Sequence, residues 1–380
     1  VNAFEAHPNR LDIFMRLFIV GCFFFAAATA MANPLERTLR LEPGPDNPRN
    51  SEGGLAVLED GRVLLIYTRY TEGTGGDHDP AHLAARTSGD GGRTWSEDRV
   101  VVPNEGGMNV MSVSLLRLHD GRLALAYLRK NSIVDCRPLI RFSDDEGESW
   151  SEPVLVIPDH ENGYFVMNND RLVQLESGRL LAPVGHHHRG DAERFDPYAT
   201  ALCYISDDAG QTWRRGADTD LEDARTGLQE PGVVQLTDGR LLMFARTDQG
   251  AQYFAHSTDD GESWSAPFRS PLRSPVSPAS IKRAPGNGPL VVLWNDNHDP
   301  DAGWSQGKRT PFTLATSTDD GATWSGPITL EDDPNGWYCY TAITFLEDAM
   351  LLAYCAGDSR ENGLATLQVS RLNTSAFLAE

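Results

Sequence analysis

Along the chain, apolar strands recur in one setting: a mixed strand, a tight turn carrying Asp-Gly, then a strand dense in Leu, Val and Ile. LEDGRVLLIY begins at Leu58, LHDGRLALAY at Leu118, LESGRLLAPV at Leu175 and LTDGRLLMFA at Leu236, with weaker copies PGNGPLVVLW and LEDAMLLAYC further on. The turn positions Asp60, Asp120, Ser177, Asp238, Asn287 and Asp348 lie 49 to 61 residues apart. Short apolar runs flanked by turn formers read as strands joined in hairpins, and this period suits one four-stranded sheet. No long window carries a competing helical period. The pattern therefore predicts an all-β chain: a six-bladed β-propeller with four antiparallel strands per blade. The segment ERTLRLEP, from Glu36, is expected to join the last blade and close the ring.

A second repeat runs out of phase with the first. SGDGGRTW begins at Ser88, SDDEGESW at Ser143, SDDAGQTW at Ser206, STDDGESW at Ser257 and STDDGATW at Ser317, so five blades carry Ser-x-Asp-x-Gly-x-Ser/Thr-Trp. It falls on the hairpin between third and fourth strands. There Asp and Ser bond turn amides, Gly permits positive φ, and Trp fills space between sheets. A calcium loop would need a bidentate acid at its twelfth position, which is missing. The repeat reads as bracing.

Composition narrows the partner. The 380 residues are 40% hydrophobic and 23% charged, enough for one large folded domain. A net charge of -21 argues against nucleic acid or an anionic membrane surface as partner, so an anionic ligand requires a local basic cluster. Residues 1–32 read as upstream residues plus a secretory leader, with Met15-Arg16, an apolar run and Ala30-Met31-Ala32, leaving 33–380 as a single domain. The expected location is secreted or periplasmic. A lipid anchor at Cys22 is the alternative reading of the same segment. Cys136, Cys203, Cys339 and Cys355 lack metal-ligand spacing, and no metal or cofactor is expected. Cys339 and Cys355 flank a predicted hairpin, as a disulfide or as two buried thiols.

The five-fold pattern is the Asp box, and the chain resembles the sialidase (neuraminidase) superfamily across nearly all of the segment from 33 onward. EPGVVQLTDGRLLMFAR, Glu230 to Arg246, looks like the sialidase segment with an acid opening one strand and an arginine ending the next. Arg309 precedes the box at Ser317 as another sialidase arginine does. Tyr340, in CYTAI, stands where the family keeps its tyrosine nucleophile. In an up-and-down blade, strand starts and second-to-third loops share the face opposite the turns and boxes, so Glu230, Arg246, Arg309 and Tyr340 map together. The loop TEGTGGDHDPAH holds Asp77, His78 and Asp79, where the family carries its acid/base aspartate; Asp77 and Asp79 both remain candidates.

The resemblance implies an exo-α-sialidase that removes a terminal sialic acid with retention. Guanidinium forks suit the sugar's carboxylate. A carboxylate nucleophile would repel that group, whereas a tyrosine, with an ordinary pKa of about 10, is neutral and needs a base. One departure concerns the Arg-Ile-Pro that sialidases carry before the first turn: Ser51-Glu52-Gly53 stands there, with Arg49 two residues earlier. Arg49, or else Arg69 or Arg129, is the substitute expected, and Glu52 adds an unexpected acid beside the substrate. Asn168, Asn169, Asp170 and Arg171 are placed at a strand start on the same face, Asn168 and Asp170 as sugar contacts. His78 is placed as a sugar contact, and the run His186-His187-His188 as sugar contact or solvated loop, since adjacent histidines in an extended segment point alternately and rarely share one metal ion; in a lyase reading one of these histidines supplies the base. Trp337 and Tyr338 either stack on the sugar or pack, and Tyr338 is the rival nucleophile. Two other classes fit: a propeller lyase or glycosidase on uronic-acid polysaccharide, and a non-catalytic glycan-binding propeller.

Overall fold

The computed structural model describes residues 35–187, 196–298 and 307–378. The expected leader and Cys22, with His188, lie outside these residues. Among them the only helix is two 3-10 turns, Asp159–Glu161 and Thr374–Ala376. The strands Asn50–Val57, Val63–Tyr70, Ala81–Ser88 and Arg99–Val102 pair in chain order as one antiparallel sheet, the first unit. The fourth unit, Gln229–Gln235 to Phe268–Arg273, and the fifth, Ser280–Arg283 to Ile328–Glu331, repeat this order. The second unit, Asn109–Arg117 to Val154–Leu155, and the third, Val173–Gln174 to Arg214–Arg215, share a nine-stranded sheet. They are bridged by Tyr164–Val166, which runs parallel to Asp135–Ser143 and antiparallel to Leu180–His187. In the last sheet Gly336–Phe345, Ala349–Asp358 and Leu367–Asn373 are joined by Leu35–Leu41, as ERTLRLEP predicts.

The core lies between sheets. In VLLIY, Val63, Leu65 and Tyr67 pack with Leu351, Ala353 and Val369 of the last sheet, while Leu64 and Ile66 pack with Val113, Leu125 and Tyr127 of the second unit. Successive side chains of a strand face opposite ways, so a strand with a sheet on either side is apolar at every position. This is why the second strands read as continuous apolar runs. The contact between the first and last sheets also closes the array.

Each Asp box sits on its third-to-fourth hairpin and repeats one set of bonds. The serine hydroxyl donates to the aspartate at 2.7–2.8 Å and accepts the glycine amide at 2.8–3.0 Å. The aspartate's second oxygen accepts the hydroxyl four residues on at 2.5–2.7 Å. Trp213 is buried, and the other four box tryptophans pack at the margins of the cores. All five boxes lie on the face away from the strand starts.

Candidate active site

A bulge recurs in the first strands. Ladder register shifts between Ser51 and Gly54, Met111 and Ser114, Gln229 and Gly232, and Cys339 and Ala342. At the bulges Glu52, Ser112, Glu230 and Tyr340 take φ of 54°, 60°, 49° and 56°, and Asp170 matches them at 56° in the third unit. Non-glycine residues in this region cost about 1–3 kcal/mol each, and a bulge re-aims a side chain. Glu52, Ser112, Glu230 and Tyr340 all point into one cavity of about 250 Å³. Asp77, Lys130, Asn168, His187, Arg246 and Arg309 complete its polar lining.

The phenol of Tyr340 donates to Glu230 Oε1 at 3.1 Å, and Arg246 Nη1 donates to Glu230 Oε2 at 2.8 Å. Burial opposes ionisation of Glu230, yet Arg246 and Arg309 hold its pKa below the usual value. Burial, reinforced by Glu230, pushes Tyr340 well above 10, with Arg309 and Arg246 opposing. In the free site the proton therefore rests on the phenol. The Arg309 guanidinium lies 5.4 Å from the Tyr340 ring centre and 5.0 Å from that of Trp337. Arg309 is buried, and its Nε and Nη1 have no hydrogen-bond acceptor, nor has Arg246 Nε. Buried donors without partners are rare. Both arginines line the cavity, and two guanidinium groups there suit a ligand carboxylate.

A second group of charges forms the first-unit wall. Arg49 donates from Nη2 to Glu52 Oε1 at 2.7 Å and from Nη1 to Asp77 Oδ1 at 2.6 Å. The other Glu52 oxygen accepts the Ser112 hydroxyl. Burial raises the Glu52 pKa against the pull of Arg49. For Asp77 burial also acts upward, but Arg49 and Lys130 bring the value down to about 2. With that side chain 59% accessible, solvent screens part of the pull.

Of the residues singled out in the sequence, Tyr340, Glu230, Arg246, Arg309, Asp77, Glu52 and Asn168 line the cavity. Arg49 stands behind the wall, 1% exposed. Asp79 caps its own turn, accepting the amides of Thr74 and Gly76 at 2.8 Å, and His78 does not reach the cavity. Arg69 lies 3.6 Å from Asp98, outside the cavity, and Arg129 does not line it either. Asp170 is held by Lys282 at 2.9 Å and by the Ile343 amide at 2.9 Å, at the margin of a different cavity. Tyr338 is packed in the core beside Phe312 and Tyr354, and Trp337 under Arg309. His186 stacks on Phe165, while His187 lines the cavity. Cys339 and Cys355 are register partners but free thiols. Ser112, Lys130 and Gln229 line the cavity without having been anticipated. The eight-residue interval to the turn aspartate, shared by Glu230 with Asp238 and Ser112 with Asp120, is the signal that would have found Ser112.

Comparison with known proteins bears on the family and the fold. Residues 113–352 match the BNR repeat-like domain. A sialidase of Micromonospora viridifaciens is 28% identical over 328 residues, covering 77% of this chain and 47% of that protein. An anhydrosialidase of Macrobdella decora is 26% identical over 247 residues, covering 58% and 30%. The chain thus spans less than half the length of either relative. The NanB sialidase from Streptococcus pneumoniae superposes with a TM-score of 0.69 at 17% identity, over 91% of this chain and 71% of that one. With its sheets of four antiparallel strands and a family match over more than half its length, the chain belongs to the BNR repeat-like family, within the sialidase propeller superfamily.

Proposed function

We propose that the chain is a retaining exo-α-sialidase or close relative, acting on a terminal sialic (nonulosonic) acid of a glycan. The observation that carries this reading is the phenol of Tyr340 bonded to Glu230 in a cavity that Arg246 and Arg309 also line. A carboxylated sugar set on Arg246 and Arg309 brings its anomeric carbon towards the phenol. In the first step Tyr340 gives its proton to Glu230 as its oxygen bonds to that carbon. The glycosidic bond breaks with its electron pair on the leaving oxygen, which takes a proton from Asp77. In the second step Asp77, now a carboxylate, takes a proton from water, whose oxygen displaces the phenolate. Tyr340 then recovers its proton from Glu230. Tyrosine-nucleophile sialidases stand outside the usual two-carboxylate scheme of glycosidases.

The test is release of free sialic acid from sialyllactose and from an aryl sialoside. We expect Tyr340→Phe to lose turnover with the fold unchanged. Undiminished turnover would remove Tyr340 from the mechanism, and wild-type protein inactive on every sialoside would remove the reading itself. Export of the protein belongs to the same proposal and rests on the leader sequence.

A further inference from the structure

Resting on that reading, we propose that Arg49 is a positioning residue for the Asp77 loop and not a ligand of the substrate carboxylate, which leaves Arg246 and Arg309 as a two-arginine clamp. The donors of Arg49 are already engaged. Nε bonds Ser51 Oγ at 2.8 Å, Nη1 bonds Asp77 at 2.6 Å and Gly75 O at 3.3 Å, and Nη2 bonds Glu52 at 2.7 Å. Its guanidinium lies 4.7 Å from the Tyr70 ring centre, is 1% exposed, and does not line the cavity. Binding a ligand there would mean first breaking charge-assisted bonds, which are among the stronger ones. Arg309 and Arg246 differ in lining the cavity themselves.

The loop is built onto Arg49 from its other side as well. Gly75 has φ of 78°, and a Cβ there would lie 2.9 Å from the Arg49 Cβ, so only glycine lets the backbone pack so close. Lys130 Nζ and Asn109 Nδ2 hold the Asp77 carbonyl at 2.7 and 3.0 Å, and Asn109 also holds the Asp79 carbonyl at 2.9 Å. Asp79 ties the turn amides. Arg49 is the member of this set that grips the reacting carboxylate itself. Misplacement of an acid by about 1 Å is enough to lose a large part of its effect.

Leaving-group dependence separates the two roles. A group that positions the proton donor matters for a sugar leaving group, which needs the proton, and little for an acidic phenol, which does not. Arg49→Lys is expected to lower kcat on sialyllactose about 100-fold, to change kcat on 4-methylumbelliferyl sialoside about three-fold or less, and to leave KM for both near wild type. Arg309→Lys is expected to raise KM on both alike. Gly75→Ala keeps the arginine but pushes the loop off it, and should show the same leaving-group bias if Arg49→Lys does not fold. Equal losses on both substrates with raised KM in Arg49→Lys would overturn the assignment. If wild type cleaves neither sialoside, the reading above fails, and amide exchange across residues 73–79 still decides this one: it should accelerate in Arg49→Lys, and unchanged exchange would overturn the positioning role.

Discussion

At the scale of single residues, the site is a set of charges whose protonation is settled by neighbours. Glu230, held below its usual pKa, is ionised and ready to accept; the phenol it faces is protonated. Glu230→Gln removes the acceptor and is expected to lower kcat about 10²–10⁴-fold, with KM little changed, in steady-state kinetics on an aryl sialoside. Asp77 has the opposite requirement, since the first step needs its proton. A folded pKa of about 2 means the protonated form dwindles as pH rises, under the combined influence of Arg49, Lys130, His78 and the facing Glu52. We therefore expect kcat/KM on sialyllactose to fall steadily with rising pH once Glu230 is ionised, and the aryl substrate to fall less. A plateau to neutrality on both would exclude Asp77 as the proton donor. These roles were unequally legible in the sequence. Glu230, Arg246, Arg309 and Tyr340 sit at strand ends whose spacing is fixed by the turns, so arithmetic alone gathers them. Asp77 and Asp79 share a loop, where spacing carries no side-chain direction, and only the structure tells the carboxylate that lines the cavity from the one that caps the turn. Lys130 was missed in favour of Arg129 because a one-residue register difference exchanges the two faces of a strand.

At the scale of elements, the hairpins and the bulges divide the labour. The boxes hold the rim that faces away from the site, and their bonds are local enough for the eight-residue pattern to reveal them. Ser257 illustrates one: its hydroxyl donates to Asp259 at 2.7 Å and accepts the Gly261 amide at 3.0 Å. Ser257→Ala leaves both groups short of a partner, for a cost of about 1–3 kcal/mol. A lower Tm with unchanged kcat is expected, and an equal fall in kcat would show that the hairpin does more than brace. The same bonds give a pH signature. Hydroxyl and amide bonds lower the pKa of Asp90, Asp145 and Asp319, to about 2 for Asp319; in Asp208 and Asp259 burial opposes but the bonds prevail. A folded pKa below the unfolded value of about 3.9 stabilises the fold above that value, and the contribution is lost as pH falls through the folded pKa. Tm measured downward from pH 5 should drop below about pH 4, and Asp319→Asn should flatten the drop. The apolar pattern alone does not reveal the bulges, because an extra residue in a strand leaves no mark in it.

At the scale of the whole molecule, the cavity exists only because the array is closed. Asp77 and Glu52 come from the first unit, Glu230 and Arg246 from the fourth, Arg309 from the fifth and Tyr340 from the last. The strand Leu35–Leu41 seals this arrangement. It pairs from Leu35 with Leu372 to Leu41 with Leu367, and its Leu35, Leu39 and Leu41 reach the cores on both sides of the last sheet. Arg37 crosses to the buried Glu331 of the fifth unit, which also accepts Tyr354 Oη at 2.9 Å and Gln368 Nε2 at 3.0 Å. Removing the strand would bare Leu367–Asn373 as an unpaired edge and leave Glu331 without its cation. Arg37→Met isolates the second effect. A buried carboxylate that loses its partner is costly, whereas replacing both partners by apolar groups is often neutral. We therefore expect Arg37→Met to lower the urea midpoint and Arg37→Met with Glu331→Leu to recover part of the loss. Half of Arg37 is solvent-exposed, so the single change should cost well below what a fully buried pair would. Because residues of every unit line the cavity, the proposed activity and sheet circular dichroism should disappear at the same urea concentration in each variant. Activity lost well before the sheet signal would mean that the site comes apart while the ring stays closed.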